Sequence, residues 1–136
     1  MPIAIDTRSS WFYVLVRERD LDEEKQTRFE LRPLACGELA KIEDHLASFS
    51  AETGEARMLS GTQTLGILRA GLVGWENFPD RNGNDVSFSG TKRKLNGVEI
   101  MQPDDSALDR LTPQDRRELA QAIAEQTRLT EEQRGN

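Results

Sequence analysis

Residues Trp11 to Val16 are aromatic or β-branched apart from Leu15, which is the side-chain chemistry of a strand. From Gln26 to Arg32 polar and apolar positions alternate. Phe29 and Leu31 fall on one face; Arg28, Glu30 and Arg32 fall on the other. That period of two predicts a half-buried strand, and Pro33 either ends it or places it at a sheet edge. Between the two segments lies Asp20-Leu-Asp-Glu-Glu24, too acidic for a core. The joint expectation is an antiparallel β-hairpin with a mobile, charged loop near residues 18–26.

The period then changes. Leu39, Ile42, Leu46 and Phe49 are spaced as one apolar stripe of a helix from about Ala35 to Phe49. Ser50-Ala-Glu-Thr-Gly54 reads as a linker. A second helix, from about Glu55 to Gly71, carries Met58, Thr62, Leu65, Arg69 and Leu72 along one line, with Leu68 beside it. Gly61, Gly66 and Gly71 weaken it, each by roughly 1 kcal/mol relative to Ala, so the helix is expected to pack closely against a neighbour. Phe78 to Met101 is turn-rich, with Pro79-Asp80 and Asn82-Gly83 as turn signals. Asp85-Val-Ser-Phe88 and Val98-Glu-Ile-Met101 are candidate short strands. A last helix opens with Thr112 as N-cap, Pro113 at the first helical position and Asp115 three past the cap. Its stripe is Leu119, Ala120, Ile123, Ala124 and Thr127. Thr130-Glu-Glu-Gln133 repeats the capping pattern and predicts a separate terminal turn before a frayed end. The fold class is α+β in a single domain over 1–136: an N-terminal antiparallel hairpin, two central helices, a turn-rich segment and a C-terminal helix.

Composition narrows the function. The chain has 136 residues, 36% hydrophobic and 31% charged, so its core is modest but needs no disulfide or metal. A net charge of -6 argues against general nucleic-acid binding, which rests on a Lys/Arg excess. The single cysteine, Cys36, allows no intramolecular disulfide. The N-terminus lacks the pattern of a secretory signal, and the apolar run Trp11 to Val16 is too short to span a bilayer. A soluble, cytoplasmic protein with no membrane partner is expected.

Candidate chemistry is thin. Cys36 and His45 are the only thiol and imidazole. On one helix they would point about 180° apart with roughly 13 Å of rise between them, which precludes the hydrogen-bond contact a nucleophile and its base need. A zinc site lacks ligands. Asp80-Arg-Asn82-Gly-Asn84-Asp85 opens like a calcium loop, but Asp85 stands where the sharp-turn glycine belongs and Thr91 where a bidentate Glu should close the site; a turn stabilised by Asx hydrogen bonds fits better. No phosphate-binding glycine loop is present. Lys92-Arg-Lys94 reads as a solvated basic loop. No catalytic, cofactor-binding or metal-ligating residue is expected, and a carboxylate-based hydrolase is the weakest reading. The aromatics remain: Trp11, Phe12 and Tyr13 face both sides of a strand, and Trp75 and Phe78 follow a helix end. They either plug the core or anchor a protein contact. Trp11, Tyr13, Trp75 and Phe78 are the contact candidates.

Across most of its length the chain resembles the small tail-assembly chaperones of tailed bacteriophages and prophages. The resemblance rests on the apolar strand pair, the run Leu72-Val-Gly-Trp-Glu-Asn-Phe before the turn Asp80-Arg-Asn-Gly-Asn-Asp-Val, and the ending Leu111-Thr-Pro, short helix, Leu129-Thr-Glu-Glu-Gln-Arg-Gly-Asn. It implies a non-enzymatic role: holding the tape-measure protein soluble and recruiting tail-tube (major tail protein) subunits in the host bacterial cytoplasm. The strong N-terminal hairpin departs from a family that is often mainly helical. The alternative is a structural virion component, such as a head–tail joining or tail-terminator subunit, which would self-associate as a homo-oligomer.

Overall fold

Alternation along residues 28–31 does what its period demands. In a computed structural model describing residues 10–34, 37–42, 61–95 and 98–135, strand β2 (Arg28–Leu31) buries Phe29 and Leu31 and leaves Arg28 and Glu30 half-exposed. β1 (Trp11–Tyr13) pairs with it antiparallel, setting Trp11 opposite Leu31 and Tyr13 opposite Phe29. The expected hairpin is therefore present, with a shorter first strand. Pro33 ends β2 rather than marking an edge, because a third strand, β3 (Leu72–Glu76), covers its other side antiparallel. The register slips between Glu30 and Leu31: Glu30 faces Gly74 and Leu31 faces Leu72. One extra residue, Val73, is accommodated there as a bulge.

β3 corrects the expectation that Trp75 and Phe78 simply follow a helix end into a turn. Residues 38–42 are helical (α1), and helix α2 (Gly61–Gly71) runs into β3 with no connecting loop. Gly37, inside the expected Ala35–Phe49 helix, is instead a turn residue with φ +89; Ala35, Cys36 and residues 43–49, His45 among them, lie outside the described residues, as do the 51–60 region and Met58. The stripe read for α2 is also rotated. Thr62 is exposed and Arg69 partly so, while Gln63, Thr64, Ile67, Leu68 and Gly71 are buried. Contact with the C-terminal helix, not the expected line, decides the buried face.

β4 (Gly90–Leu95) and β5 (Val98–Pro103) form a second antiparallel sheet. Two expectations change here. Lys92-Arg-Lys94 lies on a strand, not in a loop, although all three side chains are exposed. Asp85–Phe88 makes only a single bridge, Pro79 with Asp85. A short helix α3 (Asp105–Leu108) precedes α4 (Pro113–Gly135). The start of α4 is as expected: the Asp115 amide donates to Thr112 Oγ1 at 3.1 Å. Its core stripe, Leu119, Ala120, Ile123, Ala124 and Thr127, is fully buried. Its end is not as expected. Residues 130–133 start no separate turn, because Thr130 Oγ1 donates to the Gln126 carbonyl at 2.9 Å and the helix continues to Gly135. The hydroxyl satisfies the preceding turn instead of capping a new one.

One core joins these layers: Phe29, Leu31, Ile67, Leu68, Leu72, Leu119 and Ile123 sit at its centre. α2 packs along α4, with Gly61–Leu65 beside residues 113–117 at one end and Gly71 against Ile123 at the other. The two helices therefore run parallel. Among the described residues, no helix is long and apolar enough to cross a membrane.

Candidate protein-contact surface

The four aromatic candidates do not share one surface. Trp75 is 8% exposed and lies in an edge-to-face cluster with Phe29, Phe78 and Phe88, its ring centroids 6.3, 4.9 and 4.9 Å from theirs. Its indole N–H donates to the Val86 carbonyl at 2.7 Å. Phe78 also meets Phe29 edge-on at 5.6 Å. This pair fastens the turn-rich segment to the three-stranded sheet. The turn itself is tight: Asp80 Oδ1 accepts from the amides of Asn82 and Asn84 at 2.8 and 3.0 Å, and Gly83 has φ +81. These are the Asx hydrogen bonds that the composition called for.

Trp11 and Tyr13 are half-buried against the core. Tyr13 OH donates to Glu118 Oε2 at 2.7 Å, and the same oxygen accepts the Val16 amide at 2.9 Å. Arg17 grips Asp115 with both terminal nitrogens, one of them at 2.8 Å. The first two turns of α4 thus latch the end of β1 and the residues after it. Burial first, then donation to Glu118, raise the Tyr13 phenol to about 12, because ionisation would place a second negative charge beside that carboxylate.

The acidic connection after β1 is held by its own chain. Two single-turn 3-10 helices, Val16–Glu18 and Glu23–Lys25, flank Asp20. Glu18 accepts the Thr27 amide at 2.9 Å. Asn77, with φ 58, donates its side-chain amide to the carbonyls of Glu24 and Gln26. The Asn of the Gly-Trp-Glu-Asn run is therefore a brace between two turns. Asp20 to Glu24 remain exposed.

Among the described residues the exposed large hydrophobics are Phe12 at 51%, Val16 at 58%, Leu21 at 44% and, on α4, Leu129 at 53%. Among the described residues β1 pairs only with β2, so Phe12 stands on an edge strand. The strand reading includes Phe12 with Trp11 and Tyr13, but the contact candidates on that strand are Trp11 and Tyr13 alone. The signal was available: if Phe29 and Leu31 face inward, their cross-strand neighbours Tyr13 and Trp11 do too, and Phe12 must point away.

Two carboxylates do share a concavity. Glu30 and Glu99 line a cavity of about 250 Å³ with Ser10, the buried Arg32 and Val73. Each has a partner: Ser10 Oγ donates to Glu30 at 2.8 Å, and Lys92 Nζ lies 3.7 Å from Glu99. Among the described residues, no group of three or more His, Cys, Asp or Glu side chains is placed to hold a metal ion. Comparison with protein-family models, with curated proteins and with solved structures found no match to this chain.

Proposed function

We propose that this chain works by protein contact, as a tail-assembly chaperone of a bacteriophage or prophage acting in the host cytoplasm. Its partners on this reading are the tape-measure protein and tail-tube subunits. The observation that carries it is the exposure of Phe12, Val16 and Leu21. These are three of the four large hydrophobics most exposed among the described residues, and the first sits on a sheet edge. An edge strand offers main-chain hydrogen bonds and an outward aromatic offers apolar area, the two components of strand-addition recognition. A long partner with exposed apolar segments would aggregate without such a cover, and a net charge of -6 keeps the complex in solution.

Co-expression with a tape-measure protein tests the reading. The native chain is expected to raise the partner's soluble fraction. Phe12→Asp with Val16→Asp is expected to abolish that gain while leaving the chain's own unfolding midpoint close to native, since both side chains are exposed. No gain from the native chain sinks the proposal. A stable closed ring on sizing would favour the tail-terminator or head–tail joining alternative.

A further inference from the structure

Charge is unevenly placed around the two sheets. β4 carries Lys92, Arg93 and Lys94, all exposed, and its ladder partner β5 carries one carboxylate, Glu99. Glu99 lies 3.7 Å from Lys92, while Arg93 and Lys94 form no ion pair with a described residue. The connection after β1 is the opposite. Asp20, Asp22, Glu23 and Glu24 are all exposed, and none of them is in an ion pair with a described residue. In a chain of net charge -6 the basic strand is the exception.

The two patches sit at opposite ends of the three-stranded sheet. Glu99 and Met101 share the wall of a cavity with Ser10 and Arg32, which flank the end where Trp11 pairs with Leu31; Lys94 stands opposite Glu99 and Lys92 opposite Met101. The acidic connection enters β2 at the other end, where Arg28 pairs with Glu76 and the Asn77 side chain holds the Glu24 and Gln26 carbonyls. The sheet lies between the patches, so one molecule does not bring its own two together; two molecules can. From this placement we infer that a second copy of this chain docks head to tail, its Asp20–Glu24 connection against Lys92–Lys94 of β4. Complementary charge selects the occupant, and β4 is open to it, since among the described residues it pairs only with β5. Lysines on an open edge also guard against stray strand pairing, but that role alone predicts a monomer. The contact is heterologous, so it closes a ring or extends a chain according to the rotation between copies. It is weak, because exposed ion pairs contribute little each and salt screens them; a stable ring of virion subunits would not share that sensitivity. It leaves Phe12 uncovered and stands or falls apart from the chaperone reading.

Sedimentation equilibrium of the full chain over rising protein concentration is the test. In about 0.1 M salt, where the Debye length is about 10 Å, the average mass should rise above the monomer; in about 1 M salt, where it is about 3 Å, the mass should fall back. Arg93→Glu with Lys94→Glu, and separately Glu23→Lys with Glu24→Lys, should each weaken self-association at least about tenfold, because like charges then meet. Mixed with each other, the two variants should associate again, which misfolded chains would not do. Arg110→Glu with Arg117→Glu makes the same charge change as the first variant at exposed positions before and on α4 and should leave association intact. A monomer at every concentration, association unchanged in about 1 M salt, an equal loss in the Arg110 and Arg117 variant, or no association on mixing would each overturn head-to-tail docking.

Discussion

Gly71 and Gly66 lie on the same helix and carry opposite consequences. A Cβ on Gly71 would sit 2.7 Å from Ile123 Cγ2 and 2.8 Å from Cδ1, and Ile123 is fully buried. Gly71→Ala should therefore destabilise by about 1–3 kcal/mol, the usual cost of overpacking. The atoms nearest a Cβ on Gly66 belong to the Ile42 side chain, at 3.7 Å, an ordinary contact. Gly66→Ala should stabilise by about 1 kcal/mol through helix propensity. Urea denaturation of the two variants checks both signs. Close packing, expected for all three helical glycines, holds for Gly71; Gly61 and Gly66 have open space or ordinary contact around them.

Between elements, the attachment of the β1 segment to α4 gives a pH signature. Tyr13 is the only tyrosine, so tyrosinate absorbance in the near-ultraviolet reports it alone. In the folded chain the titration midpoint should lie at about 12, and in denaturant it should return to about 10. Below the lower value the phenol is neutral in both states and contributes no pH dependence. Between the two the unfolded chain loses its proton while the folded chain keeps it, so stability falls as pH rises through that window. Tyr13→Phe should remove this fall. A folded midpoint equal to the denatured one would show that the Glu118 contact does not form. At the other end of α4, Thr127 Oγ1 accepts the Leu34 amide at 3.0 Å and donates to Ile123 O at 2.7 Å. A buried threonine on an apolar stripe thus satisfies the chain just after β2 ends.

For the whole molecule, Trp75 joins parts that are remote in sequence. Its ring packs on Phe29 of β2, Phe78 of the turn and Phe88 before β4. Trp75→Ala should cost about 3–5 kcal/mol, a large share of a typical total of about 5–15 kcal/mol. A chemical-denaturation midpoint close to native would contradict that assignment. Trp75 and Phe78 thus organise the molecule, whereas Phe12 stays exposed.

How much of this was legible in the chain depends on the range of the interaction. Side-chain period fixed β2 and the stripe of α4, because alternation and a 3.6-residue repeat act within one element. Local chemistry fixed the Thr112 cap and the Asx turn at Asp80, because donor and acceptor are a few residues apart. Strand β3 was hidden because Leu72-Val-Gly-Trp-Glu76 follows a helix without a break, and only pairing with β2 makes it a strand. The basic stretch Lys92–Lys94 looked like loop because its side chains are all solvated; the backbone ladder to β5 leaves no trace in residue type. The face of α2 was settled by Ile123, 52 positions beyond Gly71 along the chain. Short-range patterning, and with it the pairing of β1 with β2, was written in the sequence; the third strand and the helix faces waited for the fold, because contacts between distant segments depend on chain closure that no local repeat encodes.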